Sequence, residues 1–160
     1  YGYDGTNVAM SIAVKTEDDK IFVEVIDCQP IRNGNDWILH FLRNADIHTV
    51  VVDGANGQKI LEDAIKLAKL KPPILPTVKE FIVANSMFEQ ALFQGTIVHR
   101  SQPSLFQVVT NCEKRPIGTQ GGFGYRSQIE DYDIALMDSM ILAHWACAEA
   151  KETKKQKIRY

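Results

Sequence analysis

Three aspartates occupy positions where the sequence predicts that buried elements begin or end. Asp4 follows a stretch typical of the last residues of a strand, and Asp53 follows the β-branched run at residues 49–52. Asp133 comes at the predicted start of the last helix, where the helix dipole favours an anion. Because ligand crevices of open α/β sheets lie beyond the carboxyl ends of strands, we expect these carboxylates to converge.

Converging carboxylates repel one another, so a fold that gathers them needs cations. Mg²⁺ or Mn²⁺ suits such a site because these ions take oxygen ligands and leave positions for water and phosphate. Two ions about 3.5–4 Å apart would clamp the attacking and leaving oxygens of a phosphodiester. Each acid also has a structural interpretation: Asp4 as a turn residue, Asp53 as the exit from a strand, and Asp133 as a helix N-cap.

The third ligand of this predicted metal site has an alternative nearby. Asp131 lies two residues before Asp133 and is the second choice for that position. Asp138 lies five residues after Asp133, which is about 140° around a helix, so we expect its side chain to point elsewhere.

Four basic residues flank or lie within the glycine-rich stretch at residues 114–127 and could follow a DNA backbone. The alternative is an ordinary solvated loop or a glycine-loosened hairpin. The four candidates for DNA binding are Arg100, Lys114, Arg115 and Arg126.

The hydrophobic pattern predicts the elements that must position these side chains. Residues 8–14 and 21–26 are β-branched runs that predict an antiparallel hairpin, and residues 49–52 predict a strand covered on both faces. Shorter extended pieces are expected at residues 74–75 and 96–99. Helices are predicted at residues 37–42, 57–70, 78–93, 103–112 and 133–150. Strands followed by strand–helix alternation indicate a mixed α/β sheet with helices on both faces.

Length and composition indicate one globular domain. The chain has 160 residues, of which 45% are hydrophobic and 24% charged, and its apolar runs are too short to span a bilayer. We expect the domain to cover residues 1–150, with further residues upstream of Tyr1 and a basic tail at residues 151–160. The three cysteines are widely spaced, which favours a reducing cytosol over a disulfide framework.

Several segments together resemble the nuclease domain of the large terminase subunit of tailed bacteriophages. They are YGYDGT at positions 1–6, AMSIA at 9–13, VVDG at 51–54, LFQGTIVHRSQPSL at 92–105, VTNC at 109–112 and YDIALMDSM at 132–140. The segment at positions 92–105 is the most specific of them. Asn7 stands where many members of that family carry a second acid.

The resemblance implies an RNase H-like mixed sheet flanked by helices, and a metal-dependent endonuclease that cuts concatemeric double-stranded DNA during genome packaging. Asp4, Asp53 and Asp133 would correspond to the family's metal ligands, holding two Mg²⁺ or Mn²⁺ ions. The family implies a separate N-terminal ATPase domain, a small terminase subunit and a portal as partners. It also implies the cytoplasm of a bacterial host, without a membrane, as the place of action.

Two other functions are compatible with the same residues. A Holliday-junction resolvase is built on a similar sheet with similar acids and would cut four-way DNA junctions. A nucleotide-binding domain of the actin and sugar-kinase type would use residues 4–7 as a phosphate turn. Its second phosphate loop has only a poor counterpart at residues 53–57.

Overall fold

The structure is a computed structural model that describes residues 1–130 and 132–150. Asp131, the alternative third ligand, and the basic tail at residues 151–160 lie outside the described residues. The described part is a mixed α/β fold with a three-stranded sheet, a separate two-stranded sheet and five α-helices.

The main sheet is built on the predicted hairpin. Strands β1 (Asn7–Lys15) and β2 (Ile21–Pro30) pair antiparallel, and β3 (Ile97–His99) joins β2 in parallel. Thr16 closes the turn, because its backbone nitrogen donates to the Lys20 carbonyl oxygen at 2.8 Å. The hairpin and the short extended piece near residue 97 are therefore confirmed, and β1 lies at the edge of this sheet.

The five helices confirm the predicted positions, with shifts at several ends. Their bounds are α1 Asp36–Asn44, α2 Gln58–Leu67, α3 Val78–Gln94, α4 Pro103–Thr110 and α5 Ala135–Glu149. The third helix ends at Gly95, whose φ of 67° is the left-handed conformation that favours glycine. The last helix begins two residues later than predicted, so Asp133 precedes it. None of the helices in the described ranges is long and apolar enough to cross a membrane.

The side chains of β1 alternate between two apolar clusters. Val8 and Met10 belong to a cluster with residues of α1 and α2. Ala13 belongs to the other cluster, which joins β2 to α3, α4 and α5. Since neighbouring residues of a strand point to opposite faces, helices pack on both faces of the sheet at β1.

The glycine-rich stretch forms a hairpin, which is one of the two structures that its sequence left open. Strands β4 (Cys112–Ile117) and β5 (Gly122–Ser127) pair antiparallel as the separate two-stranded sheet. Glu89 of α3 accepts a hydrogen bond from the Tyr125 hydroxyl at 3.2 Å and pairs with Lys114 at 2.7 Å. These contacts join the hairpin to α3.

The predicted strand at residues 49–52 is reduced to a single backbone bridge, although its side chains are covered on both faces: Val51 packs in the cluster with α5, and Val50 and Val52 pack in the cluster with α1 and α2. Val51 makes a single parallel backbone pairing with Ile74, and only Val52 of this segment is buried. The pairing is limited because the segment bonds to residue 74 at one edge, while a groove separates its other edge from β1.

The start of α3 provides a test of the local sequence rules. The Thr77 hydroxyl accepts a hydrogen bond from the Glu80 nitrogen, and the Glu80 carboxylate accepts one from the Thr77 nitrogen. We expect Thr77→Ala to lower the free energy of unfolding by about 1 kcal/mol, measured by urea denaturation. The control is Ser86→Ala, an exposed hydroxyl in the same helix, which should change it by less than about 0.5 kcal/mol. Equal effects of the two substitutions would contradict the capping role.

Candidate functional site

Asp53 lies at the end of the extended segment, held by the first residue of the chain. The Tyr1 ammonium donates a hydrogen bond to the Asp53 carbonyl oxygen at 2.9 Å. The next residue, Gly54, has a φ of 101° and leaves no room for a Cβ beside the Tyr1 carbonyl. The glycine after Asp53 is therefore required by this close approach, and the Asp53 side chain remains half-buried.

Asp133 is fixed at the N-terminal end of α5. Its Oδ1 atom accepts a hydrogen bond from the Ala135 nitrogen at 2.8 Å, in the manner of a helix cap. Its Oδ2 atom lies 3.8 Å from the Cys28 thiol of β2, which donates to it. Asp133 thus stands between the sheet and the last helix.

Asp138 corrects an expectation of the sequence analysis. The side chain was expected to point away from Asp133, but the charges of both Asp53 and Asp133 act on it. Asp133 lies outside the helix, so the angle counted from it does not apply. The residue as a whole is partly exposed, yet its Oδ1 atom is inaccessible to solvent and has no hydrogen-bond partner in the described part of the chain. Such an atom costs free energy unless something binds it.

The electrostatics link these three aspartates. Burial raises the pKa of Asp138 to about 7, the nearby Arg115 guanidinium opposes the rise, and the charges of Asp53 and Asp133 add to it. The region is therefore a partly desolvated pocket of negative charge with the Arg115 guanidinium nearby.

Cys28 belongs to the same neighbourhood. Burial raises the pKa of its thiol to about 12, and the Asp133 carboxylate adds to the effect. The thiol consequently stays protonated at neutral pH and donates to Asp133 rather than acting as a nucleophile.

Asp4 is placed differently from the other two predicted ligands. Its carboxylate is exposed and accepts hydrogen bonds from the Thr6 nitrogen at 3.0 Å and the Thr6 hydroxyl at 2.9 Å. A Cβ on Gly2 would lie 2.9 Å from Asp4 Oδ1 and 3.8 Å from the Cβ of Ala135. Asp4 therefore flanks the start of α5, but its charge is not among those that shift the pKa of Asp138.

The predicted DNA-binding residues lie on the β4–β5 hairpin and, for Arg100, just after β3, and three of them face acidic partners. Arg100 is 3.8 Å from Glu24, Lys114 pairs with Glu89, and Arg126 lies 2.7 Å from Glu113. Arg115 differs, because its Nε donates to the Tyr125 carbonyl oxygen and its charge acts on Asp138. The structure therefore associates one of the four cations with the carboxylates.

The carboxylates do not already form a metal-binding arrangement. Within residues 1–130 and 132–150, no group of three or more His, Cys, Asp or Glu side chains is arranged to hold a metal ion. The donor set nevertheless suits a hard cation: all its members are carboxylates, and one buried oxygen is unpartnered. Binding would require these side chains to turn toward a common point.

The sequence around Asp138 contains a signal that could have identified it as a candidate site residue. Between Asp133 and Glu149, Asp138 is the only residue of the Asp, Glu, Lys and Arg types, within an otherwise apolar helix. Acidic residues are almost never buried unless something pairs with them. An isolated acid in a helix that is apolar on every side is therefore itself a candidate for a functional site.

Comparisons of this chain with protein-family models, with curated proteins and with solved structures find no match. The functional argument for this chain accordingly depends on the geometry of its acidic site and on the sequence resemblance.

The buried carboxyl of Asp138 predicts a particular dependence of stability on pH. Its pKa of about 7 in the folded protein exceeds the ordinary 3.8, so the folded state holds an extra proton between these values. Its stabilising contribution is complete below about pH 4 and disappears as the pH rises through 7. We expect Asp138→Asn, measured without divalent ions, to raise the free energy of unfolding at pH 8 by a few kcal/mol, and much less at pH 5.

The matched control for this measurement is Asp46→Asn, which removes an exposed carboxylate. It should leave the pH dependence of unfolding unchanged. If Asp138→Asn followed the wild-type curve between pH 5 and pH 8, the buried position of Asp138 would be contradicted.

Proposed function

We propose that the protein is a divalent-metal-dependent endonuclease with an RNase H-like fold that cleaves double-stranded DNA. The observation that carries this proposal is the Oδ1 atom of Asp138, which is inaccessible to solvent and has no partner within residues 1–130 and 132–150, beside the charges of Asp53 and Asp133. Carboxylates kept together in a partly dry pocket raise the energy of the folded protein unless a cation binds them.

Mg²⁺ or Mn²⁺ is the ion class that best suits these ligands. Both prefer carboxylate oxygens and keep open positions for water and phosphate. Asp53 and Asp138 would be two of the ligands. Asp133 would be the third, and the hydrogen bond from the Ala135 amide already orients its carboxylate. Asp4 at the rim would reach the site only by leaving Thr6.

When bound, two such ions would lower the pKa of a water molecule and neutralise charge that develops on a phosphodiester. The chain's own groups perform the remaining tasks. The partly dry pocket strengthens the electrostatic attraction between its carboxylates and the ions, and Arg115 offers the nearest guanidinium for a phosphate oxygen.

DNA is proposed as the substrate on the sequence resemblance and on Arg115, whose charge acts on Asp138. Lys114 and Arg126 lie on the hairpin β4–β5 together with Arg115, and Arg100 follows β3. Phosphates of a bound duplex would compete with the partners Glu89, Glu113 and Glu24 for these cations. Such contacts position a DNA backbone without reading its sequence.

The genome-packaging role, with an ATPase domain, a small terminase subunit and a portal as partners, is proposed on the sequence resemblance. A junction resolvase would use the same carboxylates, so substrate choice separates the two nucleases. We expect linear and plasmid duplexes to be cut, and a four-way junction to offer no advantage over them.

The first test removes one carboxylate from the proposed site. We expect Asp53→Asn to reduce Mn²⁺-dependent nicking of a supercoiled plasmid by roughly 100-fold or more, because the ions lose a charged ligand. The backbone contact from Tyr1 to residue 53 does not involve the side chain, so the fold should persist. Asp46→Asn serves as the control and should cut at the wild-type rate. Wild-type cleavage by Asp53→Asn would exclude Asp53 from the mechanism.

The second test measures metal binding without activity. At ten times the dissociation constant, Mn²⁺ should stabilise the folded state by about 1.4 kcal/mol. For a domain of this size that corresponds to a rise of roughly 3–6 °C in the melting temperature. We expect this rise in the wild type and its loss in Asp138→Asn. An equal rise in both proteins would place the bound ion elsewhere.

A further inference from the structure

A small surface pocket lies between the first loop of the chain and the end of β2. Its lining is the turn at residues 5–7 and the segment at residues 30–32. The Ile31 nitrogen donates to the Thr6 carbonyl oxygen at 2.9 Å, just beyond the last pair of residues that joins β1 to β2. The main sheet therefore fixes the positions of both walls. We call this feature the Arg32 pocket.

Arg32 supplies the positive charge of the pocket. Its side chain is exposed and makes no ion pair with an acid among the residues that the structure describes. The three basic residues that already face a glutamate would have to exchange that carboxylate for a phosphate. A guanidinium without an acidic partner has no such bond to give up, so Arg32 can bind an anion at a smaller cost in free energy.

Asn7 adds a second polar side chain to the lining. It is partly buried in the wall of the pocket, and the nitrogen of its carboxamide is a donor for a phosphate oxygen. Thr6 cannot serve in this way, because its nitrogen and its hydroxyl both donate to the Asp4 carboxylate, at 3.0 and 2.9 Å. These two hydrogen bonds also offset part of the negative charge that Asp4 would present to an anion.

The Arg32 pocket lies beside the proposed acidic site, because β2 connects the two. Cys28 of β2 donates through its thiol to Asp133 at 3.8 Å. Pro30, which lines the pocket, follows two residues later, or about 7 Å along the strand. That length equals about two nucleotides of duplex DNA, whose axial rise is roughly 3.4 Å per nucleotide. A DNA strand held at the carboxylates would thus bring a nearby phosphate to the pocket.

We propose that the Arg32 pocket binds a phosphate of the cut DNA strand, within a few nucleotides of the bond that is cleaved. The Arg32 guanidinium would donate to its oxygens as a charged fork, and the Asn7 carboxamide would add a further hydrogen bond. For the identity of the ligand, this proposal rests on the proposed nuclease function. The contact reads no sequence; it holds the strand so that the bond to be cut lies at the carboxylates.

A free nucleotide offers the same phosphate chemistry, and residues 4–7 resemble a phosphate turn. Such turns bind phosphate through backbone N–H groups that are free to donate. Here the Gly5 nitrogen donates to the Gly2 carbonyl oxygen at 3.1 Å, and the Thr6 nitrogen donates to Asp4. The turn therefore uses its own donors internally, which favours a phosphodiester held by the side chains of Arg32 and Asn7.

The first experiment measures the binding of a short fluorescent duplex by anisotropy, in EDTA so that no cleavage occurs. We expect Arg32→Gln to weaken binding by roughly fivefold or more. It should also lower the slope of log K against log salt concentration by about 0.9, the value for one lost phosphate contact. Arg43→Gln is the matched control, because it removes the same charge from another exposed position, on α1. It should leave the slope unchanged.

The second experiment locates the phosphate. Single uncharged methylphosphonate groups are placed in turn along one strand of the duplex. We expect one position at which the substitution weakens binding to the wild type and to Arg43→Gln, and has no further effect on Arg32→Gln. Equal responses of all three proteins at every position would overturn the proposal. So would ATP binding that is lost in Arg32→Gln, because the pocket would then belong to a nucleotide.

Plasmid cleavage with Mn²⁺ separates this proposal from the proposed nuclease function. If the wild type cuts DNA while Arg32→Gln and Arg43→Gln bind the duplex equally well, the phosphate pocket is wrong and the nuclease stands. If the wild type does not cut DNA but needs Arg32 to bind the duplex, the nuclease is wrong and the pocket stands. A wild-type protein that does not bind the duplex would overturn the phosphate pocket outright.

Discussion

The proposed site depends on the carboxylate of Asp138, one oxygen of which is inaccessible to solvent. This oxygen has no hydrogen-bond partner among the described residues, and the charges of Asp53 and Asp133 act on the same carboxylate. A fold gains nothing in stability from such a group, because desolvation and like charges both raise its free energy. The Arg115 guanidinium offsets part of that energy, and a divalent cation would offset far more.

The acidic pocket and the apolar groove are parts of one arrangement. Asp53 and Asp138 line the groove near its Tyr1 end, and Tyr1 itself bonds to the Asp53 backbone. The structure as described holds the carboxylates near one another without arranging them around a common point.

Local sequence patterns predicted most of the helices and strands. They failed where contacts between residues far apart in the chain determine the structure. The hairpin of β1 and β2, and α3 with its cap at Gly95, followed from β-branched runs, helical periodicity and turn residues. The strand at residues 49–52 was predicted from composition, but its pairing depends on a neighbour that local sequence cannot supply. Asp53 and Asp133 were named as ligands because they follow or precede buried elements. Asp138 was not named as a ligand because its angle around the helix was counted from Asp133. Asp133 lies before the first residue of that helix, so the angle does not describe their relative directions.

The central claim is that Asp53, Asp133 and Asp138 bind a divalent ion together. Side-chain carboxyl carbons can be observed by NMR, and bound Mn²⁺ broadens the resonances of nuclei near it. Substoichiometric Mn²⁺ should therefore broaden the carboxyl resonances of these three aspartates first and leave those of exposed Asp63 and Asp46 sharp. Broadening spread evenly over the surface carboxylates, with Asp138 unaffected, would contradict the account.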